Sequence, residues 1–148
     1  DTVSLCLSKG LGTPAGSVLV GPADFIRRAH RIRKLVGGGM RQIGIVAAAG
    51  IHALDHHIDR LADDHANALR LAERLAQVKA IHVEPDLVET NMVFITLPDG
   101  AADGLRAHLA TRGILLGGGA KQIRLVTHLD ITRDDIDLLS EEISQYFA

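Results

Sequence analysis

The chain has 148 residues, of which 47% are hydrophobic, and its formal net charge is -2 at pH 7. This composition is typical of a compact globular unit, or of a piece of a larger one, and is sufficient to bury a core. Because Lys and Arg nearly balance Asp and Glu, a general basic surface for nucleic acid is excluded, and any site for anions must be local.

The hydropathy pattern predicts neither a membrane span nor a secretory signal. No segment reaches the roughly 18 uninterrupted apolar residues of a spanning helix, and no basic segment followed by an apolar one opens the chain. The prediction is a cytoplasmic protein with no membrane partner. The chain lacks an initiator methionine and starts at Asp1 in a strand-like run, which predicts a fragment or a processed product.

Two short strands are predicted on either side of Lys9. Thr2 to Leu7 alternates and then becomes continuously apolar, and Ser17 to Val20 repeats that character after a loop rich in glycine. Lys9 therefore lies at a corner between strand and loop. Cys6 is the only cysteine and cannot form an internal disulfide, so we expect it to be buried and unreactive in the first strand.

Helical spacing dominates the next part of the chain. A first helix is predicted from Pro22 to the glycine triplet 37–39. From Arg41, apolar residues recur at threes and fours as far as Val78, which predicts one very long or kinked helical region. His65 lies on its apolar stripe, and we expect a hydrogen-bonded core or interface histidine there.

The remaining sequence alternates between short strands and helices, which predicts a small α+β domain of about 65 residues. Thr132, with Asp135 three positions later, is a near-match to a capping box at the start of the last helix. The predicted strands are Ile81 to Glu84, Met92 to Leu97, Ile114 to Leu116 and Gln122 to Thr127, and the predicted helices are Ala101 to Thr111 and Thr132 to Phe147.

Lys9 is the first candidate for chemistry, because a lysine amine attacks a carbonyl only in its neutral form. Apolar neighbours are expected to desolvate the amine and lower its pKa from about 10.4. Glycines beside it would let the backbone approach a flat ligand closely. Taken alone, Ser8-Lys9-Gly10 also fits an ordinary solvated turn. The apolar neighbours are Leu5, Leu7 and Leu11, and the glycines are Gly10, Gly12 and Gly16.

Basic residues provide the candidate anion sites. Lys34 and Arg41 bracket the glycine triplet, where contact with a phosphate or a carboxylate competes with simple solvation. Arg124 lies within an apolar strand, which is costly unless its guanidinium meets an anion, so it predicts a fork for a carboxylate. His128 either supports that site or merely ends the strand. Arg27, Arg28 and Arg31 are expected to form a solvated helix face.

A metal site is not predicted. His52 and His56 are four positions apart and His57 is adjacent, but neither a glutamate in the metalloprotease arrangement nor a cysteine accompanies them, and no third ligand is specified. Asn91, which precedes a predicted strand, is either a turn residue or a donor to the substrate, and we favour the turn.

Five blocks of sequence together resemble the pyridoxal-phosphate-dependent low-specificity L-threonine aldolases, which have the aspartate-aminotransferase fold (fold type I). The resemblance runs in order along the whole chain and covers the C-terminal part of that family, less than half of a full subunit. The blocks are S4-L-C-L-S-K-G-L-G-T-P-A-G-S17, R33-K-L-V-G-G-G-M-R-Q42, A62-D-D-H-A-N67, T90-N-M-V-F94 and I123-R-L-V-T-H-L-D130.

This resemblance implies a role for each candidate residue. Lys9 would form the Schiff base with pyridoxal 5'-phosphate, and Arg124 would bind the α-carboxylate of a small amino-acid substrate. Lys34 and Arg41 would lie near the cofactor and help to hold anionic groups. The implied reaction is retro-aldol cleavage of L-threonine or L-allo-threonine to glycine and acetaldehyde.

The resemblance also implies an α/β architecture in three parts. Residues 1–50 would end the large cofactor-binding domain, residues 51–80 would form a connecting helix, and residues 81–148 would form the small α+β domain. Other family residues that hold the cofactor lie upstream of the lysine and have no counterpart here, so the N-terminal half of the subunit is an expected partner and the chain alone is expected to be inactive. A homo-oligomer, a dimer of dimers, is also implied.

Two other interpretations stay open at this point. The chain can belong to another enzyme of the same fold, such as a β-eliminating lyase or a serine hydroxymethyltransferase-like enzyme. It can also be a non-catalytic subunit in which Lys9 is structural and the basic helix contacts an acidic partner.

Overall fold

The computed structural model describes all residues from 1 to 148, with four strands and five α-helices. The chain forms two compact units, Asp1–Leu61 and Ala62–Ala148. No helix combines the length and the apolar character that crossing a membrane requires.

The first unit contains an antiparallel hairpin and two helices. Strands β1 (Val3–Cys6) and β2 (Ser17–Val20) pair with Val3 opposite Val20 and Cys6 opposite Ser17. Both strands were predicted, and both are confirmed. Helices α1 (Ala23–Leu35) and α2 (Gly44–His56) follow. The small core of this unit consists of Leu7, Leu11 and Ala53, with Leu61 packed against it.

Helix α1 ends at the glycine triplet, as predicted. Gly37 has φ +90°, and its N–H donates to the carbonyl of Lys34, while the N–H of Gly38 donates to the carbonyl of Arg33 at 2.7 Å. These two bonds are those of a Schellman motif, in which a left-handed residue after the helix satisfies its last carbonyl groups. Glycine is favoured at position 37 because, without a Cβ, it adopts the left-handed conformation at no steric cost.

The long helical region predicted from Arg41 to Val78 is interrupted. Helix α2 ends at His56, and helix α3 (Leu61–Leu75) begins five residues later. Between them, the Leu61 N–H donates to the Ile58 carbonyl at 3.1 Å, which is a tight turn and not a continued α-helix. The prediction was one very long or kinked helical region. Helix is confirmed in this span, whereas the very long, unbroken form is wrong.

The second unit packs helices on one face of a two-stranded sheet. Strands β3 (Met92–Thr96) and β4 (Gln122–Val126) are antiparallel, with Phe94 opposite Arg124. A short 3₁₀ helix (Pro85–Leu87) precedes β3, helix α4 (Ala101–Ala110) connects the two strands, and helix α5 (Arg133–Tyr146) closes the chain. The core combines these elements with α3; its fully buried members include Leu71, Leu75, Val93, Ile95, Leu105, Leu109, Ile123 and Ile143.

Two predicted strands of this unit are absent. Of the segment Ile81 to Glu84, only His82 pairs, in an isolated bridge with Thr96. Ile114 to Leu116 forms no strand, because neither β3 nor β4 pairs with it, and Leu115 is 91% exposed. Ile114 and Leu116 are apolar because they lie in a loop whose side chains pack against the core.

The last helix begins as predicted. The N–H of Asp135 donates to Thr132 Oγ1 at 3.2 Å, and Asp135 Oδ2 accepts the Thr132 N–H at 2.8 Å. Both halves of a capping box are therefore present. His65 was expected in a core or an interface, and the core alternative is wrong. The side chain is exposed, because α3 turns Asp64 and Ala68 inward instead.

Candidate active site

Lys9 lies in a tight turn directly after β1. The Gly12 N–H donates to the Lys9 carbonyl at 2.8 Å, and the Thr13 N–H donates to the Leu7 carbonyl at 3.2 Å. At the base of the loop, the Leu7 N–H donates to the Gly16 carbonyl at 3.0 Å. Since Gly12 has φ +70°, the turn uses a conformation that favours glycine.

The turn packs closely against helix residues of the same unit. A Cβ added at Gly10 would lie 3.1 Å from Leu61 Cδ2, and one added at Gly50 of α2 would lie 3.1 Å from Leu7 Cδ1. Leu7 and Leu11 are buried with Ala53. The backbone on both sides of Lys9 is therefore fixed by apolar contacts.

The side chain of Lys9 is exposed, and it makes neither a salt bridge nor a side-chain hydrogen bond. The predicted desolvation by its leucine neighbours is wrong for this chain. Leu7 and Leu11 bury their side chains against Ala53, while Leu5 is 42% exposed. The amine is consequently accessible, with no partner that a ligand would have to displace.

Cys6 is only half-buried, although we expected a buried thiol in the first strand. Its Sγ lies 3.4 Å from Ser8 Oγ. Hydrogen bonds from Ser8, with smaller contributions from Ser17 and the charge of Lys9, hold the pKa of Cys6 below its usual value. Exposure of β1 explains the difference, because Val3 and Leu5 on the same strand are also exposed.

Lys34 and Arg41 lie on either side of the glycine triplet, at the end of α1 and before α2. Both side chains are exposed, and neither makes a salt bridge. A Cβ added at Gly39 would lie 2.7 Å from Lys34 Nζ, so the absence of a side chain at Gly39 leaves room for the ammonium group. The basic residues Arg27, Arg28 and Arg31 of α1 are exposed, as predicted.

Arg124 is the central residue of β4, in the second unit. Along this strand Ile123 and Thr127 are buried, whereas Arg124 and Val126 are exposed, which confirms the predicted alternation. Arg124 has no acidic partner and no hydrogen bond within the chain, so its planar fork of donors is free for an external anion. Its cross-strand neighbour Phe94 is 51% exposed.

Arg124 also lines a cleft of about 770 Å³. The glycine loop 117–119 forms one wall, and His128 and Asp130 lie at the end of β4. The Asp130 N–H donates to His128 Nδ1 at 3.3 Å, and Nδ1 lies 3.7 Å from Asp130 Oδ2. His128 thus has a local structural role after the strand, which was one of its two interpretations.

Other candidate residues have structural partners. Asn91 occupies a bend, as expected of a turn residue, and its Nδ2 donates to the Thr127 carbonyl at 2.8 Å, joining the start of β3 to the end of β4. The ring centroids of His52 and His56 are 4.5 Å apart, and those of His52 and His57 are 5.3 Å apart. No group of three or more His, Cys, Asp or Glu residues is arranged to hold a metal ion.

The predicted site residues thus fall into two groups. Lys9, Lys34 and Arg41 belong to the first unit, and Arg124 belongs to the second.

One contact to the lysine turn was not predicted. His57 Nδ1 lies 2.7 Å from the Leu11 carbonyl oxygen. No signal in the sequence marked this contact, because His57 lies inside the helical pattern predicted from Arg41 to Val78.

Comparison with known proteins identifies the family. The beta-eliminating lyase family model matches residues 1–98. The chain belongs to this family. It is 49% identical over 140 residues to "Low-specificity L-threonine aldolase 1" of Arabidopsis thaliana, covering 92% of this chain and 39% of the relative. It is 47% identical over 136 residues to the "Low specificity L-threonine aldolase" of Escherichia coli K12, covering 92% of this chain and 40% of the relative.

A solved structure shows the same fold. The putative L-allo-threonine aldolase of Listeria monocytogenes matches with a TM-score of 0.81 at 19% identity, over 98% of this chain and 44% of that chain. This likeness confirms the predicted α/β fold class. The chain spans about two-fifths of the length of the curated relatives it matches.

Proposed function

We propose that this chain is the part of a threonine aldolase that carries the cofactor lysine. The whole protein would cleave L-threonine and L-allo-threonine to glycine and acetaldehyde with pyridoxal 5'-phosphate. The names of the Arabidopsis and Escherichia coli relatives support this proposal. The structural observation that carries it is Lys9, an exposed and unpaired amine on a glycine turn between two paired strands.

The turn fits covalent attachment of an aldehyde cofactor. The Lys9 amine has no salt bridge to break, and its neighbours Gly10 and Gly12 have no side chains to cover it. Pyridoxal phosphate, when bound, supplies an electron sink that makes cleavage of the substrate's Cα–Cβ bond possible. Lys9 would hold the cofactor through Nζ, while Lys34 and Arg41 would attract its anionic groups.

Arg124 would bind the α-carboxylate of the substrate. Its guanidinium presents two parallel N–H donors to two carboxylate oxygens, which fixes the orientation of the amino acid as well as its position. Orientation matters because it selects which bond to Cα is weakened. The open cleft beside Arg124 supports this role.

β-Elimination is the second candidate reaction, and the name of the matching family favours it. Both reactions use a cofactor-bearing lysine and a carboxylate-binding arginine, so these residues do not discriminate between them. The products do: an aldolase releases glycine and acetaldehyde from threonine, whereas elimination from serine gives pyruvate and ammonia.

The test uses the natural protein, with all of the sequence that flanks these residues. The protein is incubated with pyridoxal phosphate, reduced with borohydride and digested, and the labelled peptide is located by mass. We expect the label on Lys9 and glycine release from L-threonine. Lys9→Ala should lose both, whereas Lys79→Ala, at another exposed and unpaired lysine, should lose neither. Label on Lys9 with pyruvate as the product would favour the lyase.

The remaining predictions extend this proposal. The division into residues 1–50, 51–80 and 81–148, the cytoplasmic location and the homotetramer stay predictions from the sequence. Exposed apolar side chains on α2, including Ile45 at 81%, support association with another surface. Light scattering of the natural protein tests the oligomeric state.

A further inference from the structure

We propose that His57 is a positioning residue for Lys9, because it fixes the turn that presents the lysine through a hydrogen bond to the Leu11 carbonyl. The inference rests on the proposed function, since positioning matters only if the Lys9 amine reacts. It assigns a task to a histidine that contacts neither substrate nor cofactor in the proposal above.

The hydrogen bond is short and joins distant parts of the sequence. His57 Nδ1 lies 2.7 Å from the Leu11 carbonyl oxygen, and the two residues are 46 positions apart. A carbonyl oxygen only accepts, so Nδ1 must carry the proton and donate it. The backbone N–H of His57 already donates to the Ala53 carbonyl at 2.8 Å. The side chain is therefore not needed to cap α2 and extends to the turn instead.

Leu11 is well placed to transmit this constraint to Lys9. The Gly12 N–H, in the residue that follows Leu11, donates to the Lys9 carbonyl. The Leu11 side chain is buried against Ala53. Two contacts at the end of α2 thus hold the turn: apolar packing against Ala53, and the hydrogen bond from the imidazole of His57, which directly follows α2.

Lys9 depends on this support because it has none of its own. Its exposed side chain makes no salt bridge or side-chain hydrogen bond, so its position is set by the backbone that carries it. Reacting groups must be held near their productive orientation, and displacement of about 1 Å can cost two orders of magnitude in rate. A supporting residue that fixes the backbone fulfils this requirement without touching the reacting atoms.

Neighbouring histidines provide a matched comparison. His56 is exposed and contacts the His52 ring, and it makes no hydrogen bond to the turn. Substitution of His56 by leucine removes a histidine of the same segment without touching Leu11. Substitution of His57 by asparagine retains an N–H donor at about the position of Nδ1, whereas glutamine places its donor farther out and leucine has none.

The experiment measures amide exchange in the turn of the natural protein by mass spectrometry, on peptides that contain Gly12 and Thr13. In His57→Leu we expect exchange at these amides to be roughly three- to tenfold faster, which is the change for loss of one net hydrogen bond. His57→Asn should restore slow exchange, and His56→Leu should leave it unchanged. Equal exchange in His57→Leu and wild type would overturn the inference.

A second measurement links the turn to the lysine. The rate of borohydride-trapped labelling of Lys9 by pyridoxal phosphate should fall in His57→Leu and recover in His57→Asn. If wild type labels Lys9 and His57→Leu labels it at the same rate, the positioning role is wrong and the proposed function stands. If wild type does not label Lys9, the proposed function fails, while the exchange data still report on the turn. Should His57→Leu not fold, His57→Gln compared with His57→Asn decides the same question.

Discussion

Arg70 and Asp137 form a two-point ion pair that joins α3 to α5. Arg70 Nε donates to Asp137 Oδ1 at 2.7 Å, and Nη2 donates to Oδ2 at 2.8 Å. This fork geometry is the strongest form of the arginine–carboxylate contact. Arg74 Nε lies 3.6 Å from Asp137 Oδ1. Hydrogen bonding by Arg70, with smaller effects of nearby positive charges, lowers the pKa of Asp137.

The first prediction concerns the pH dependence of this pair. Because the folded pKa of Asp137 lies below its ordinary value of 3.8, its contribution to stability is present above that value and is lost as the pH falls through the folded pKa. Asp137→Asn should therefore lower the urea midpoint at pH 7, and the difference from wild type should shrink below pH 3.8. Asp86→Asn, at an exposed and unpaired aspartate, is the control. Equal midpoints of Asp137→Asn and wild type at pH 7 would contradict the prediction.

The second prediction concerns the start of α5. Thr132→Ala removes the acceptor for the Asp135 N–H, and loss of an N-cap side chain costs about 1 kcal/mol in the free energy of unfolding. Urea unfolding followed by far-ultraviolet circular dichroism measures this change. Thr90→Ala, at an exposed bend outside any helix, should change the free energy of unfolding much less. A cost for Thr132→Ala no larger than that control would show that the capping box is not stabilising.

The third prediction concerns the end of α1. Gly37 has φ +90°, and a side chain in a left-handed conformation costs about 1–2 kcal/mol. Gly37→Ala should therefore lower the free energy of unfolding by that amount. Gly44→Ala, at the first residue of α2 where an added Cβ meets nothing within 4 Å, should be neutral or slightly stabilising. Thermal unfolding of both variants compares them, and the prediction fails if the two changes are equal.

The fourth prediction concerns substrate binding by Arg124. Arg124→Gln removes the charge and one donor of the fork, and loss of a hydrogen bond to a charged group costs about 1.5–3 kcal/mol. KM for L-threonine should rise roughly 10- to 100-fold, while borohydride labelling of Lys9 should be unchanged. Arg133→Gln, at an exposed arginine of α5, should leave KM as in wild type. An unchanged KM for Arg124→Gln would remove this residue from the binding site.

Local sequence signals predicted much of the fold. The hairpin around Lys9, the end of α1 at Gly37 and the capping box at Thr132 each depend on residues within a few positions of one another, so their patterns are visible in the sequence. The alternation of buried Ile123 and exposed Arg124 was predicted for the same reason.

Features that depend on distant contacts were not predictable. The break between α2 and α3 contains no glycine or proline that would mark it in the sequence. One of its residues, His57, forms a hydrogen bond to the carbonyl of Leu11, 46 positions away. The segment at Leu115 has strand-like composition but no neighbouring strand to pair with. Likewise, Lys9 is exposed because Leu7 and Leu11 bury their side chains against Ala53 of α2 and leave the lysine uncovered. That packing depends on a residue more than 40 positions away in the sequence.

The hairpin around Lys9 also bears on the order of folding. Its strand contacts join residues close in sequence, from the pair Cys6 and Ser17 out to Val3 and Val20. Such hairpins form in about 1–10 μs, which is fast compared with synthesis at about 5–20 residues per second. The strands can therefore pair as soon as Val20 has emerged from the ribosome, whereas the bond to Leu11 must wait for His57. The strand contacts that close the lysine loop thus become possible before its long-range anchor does.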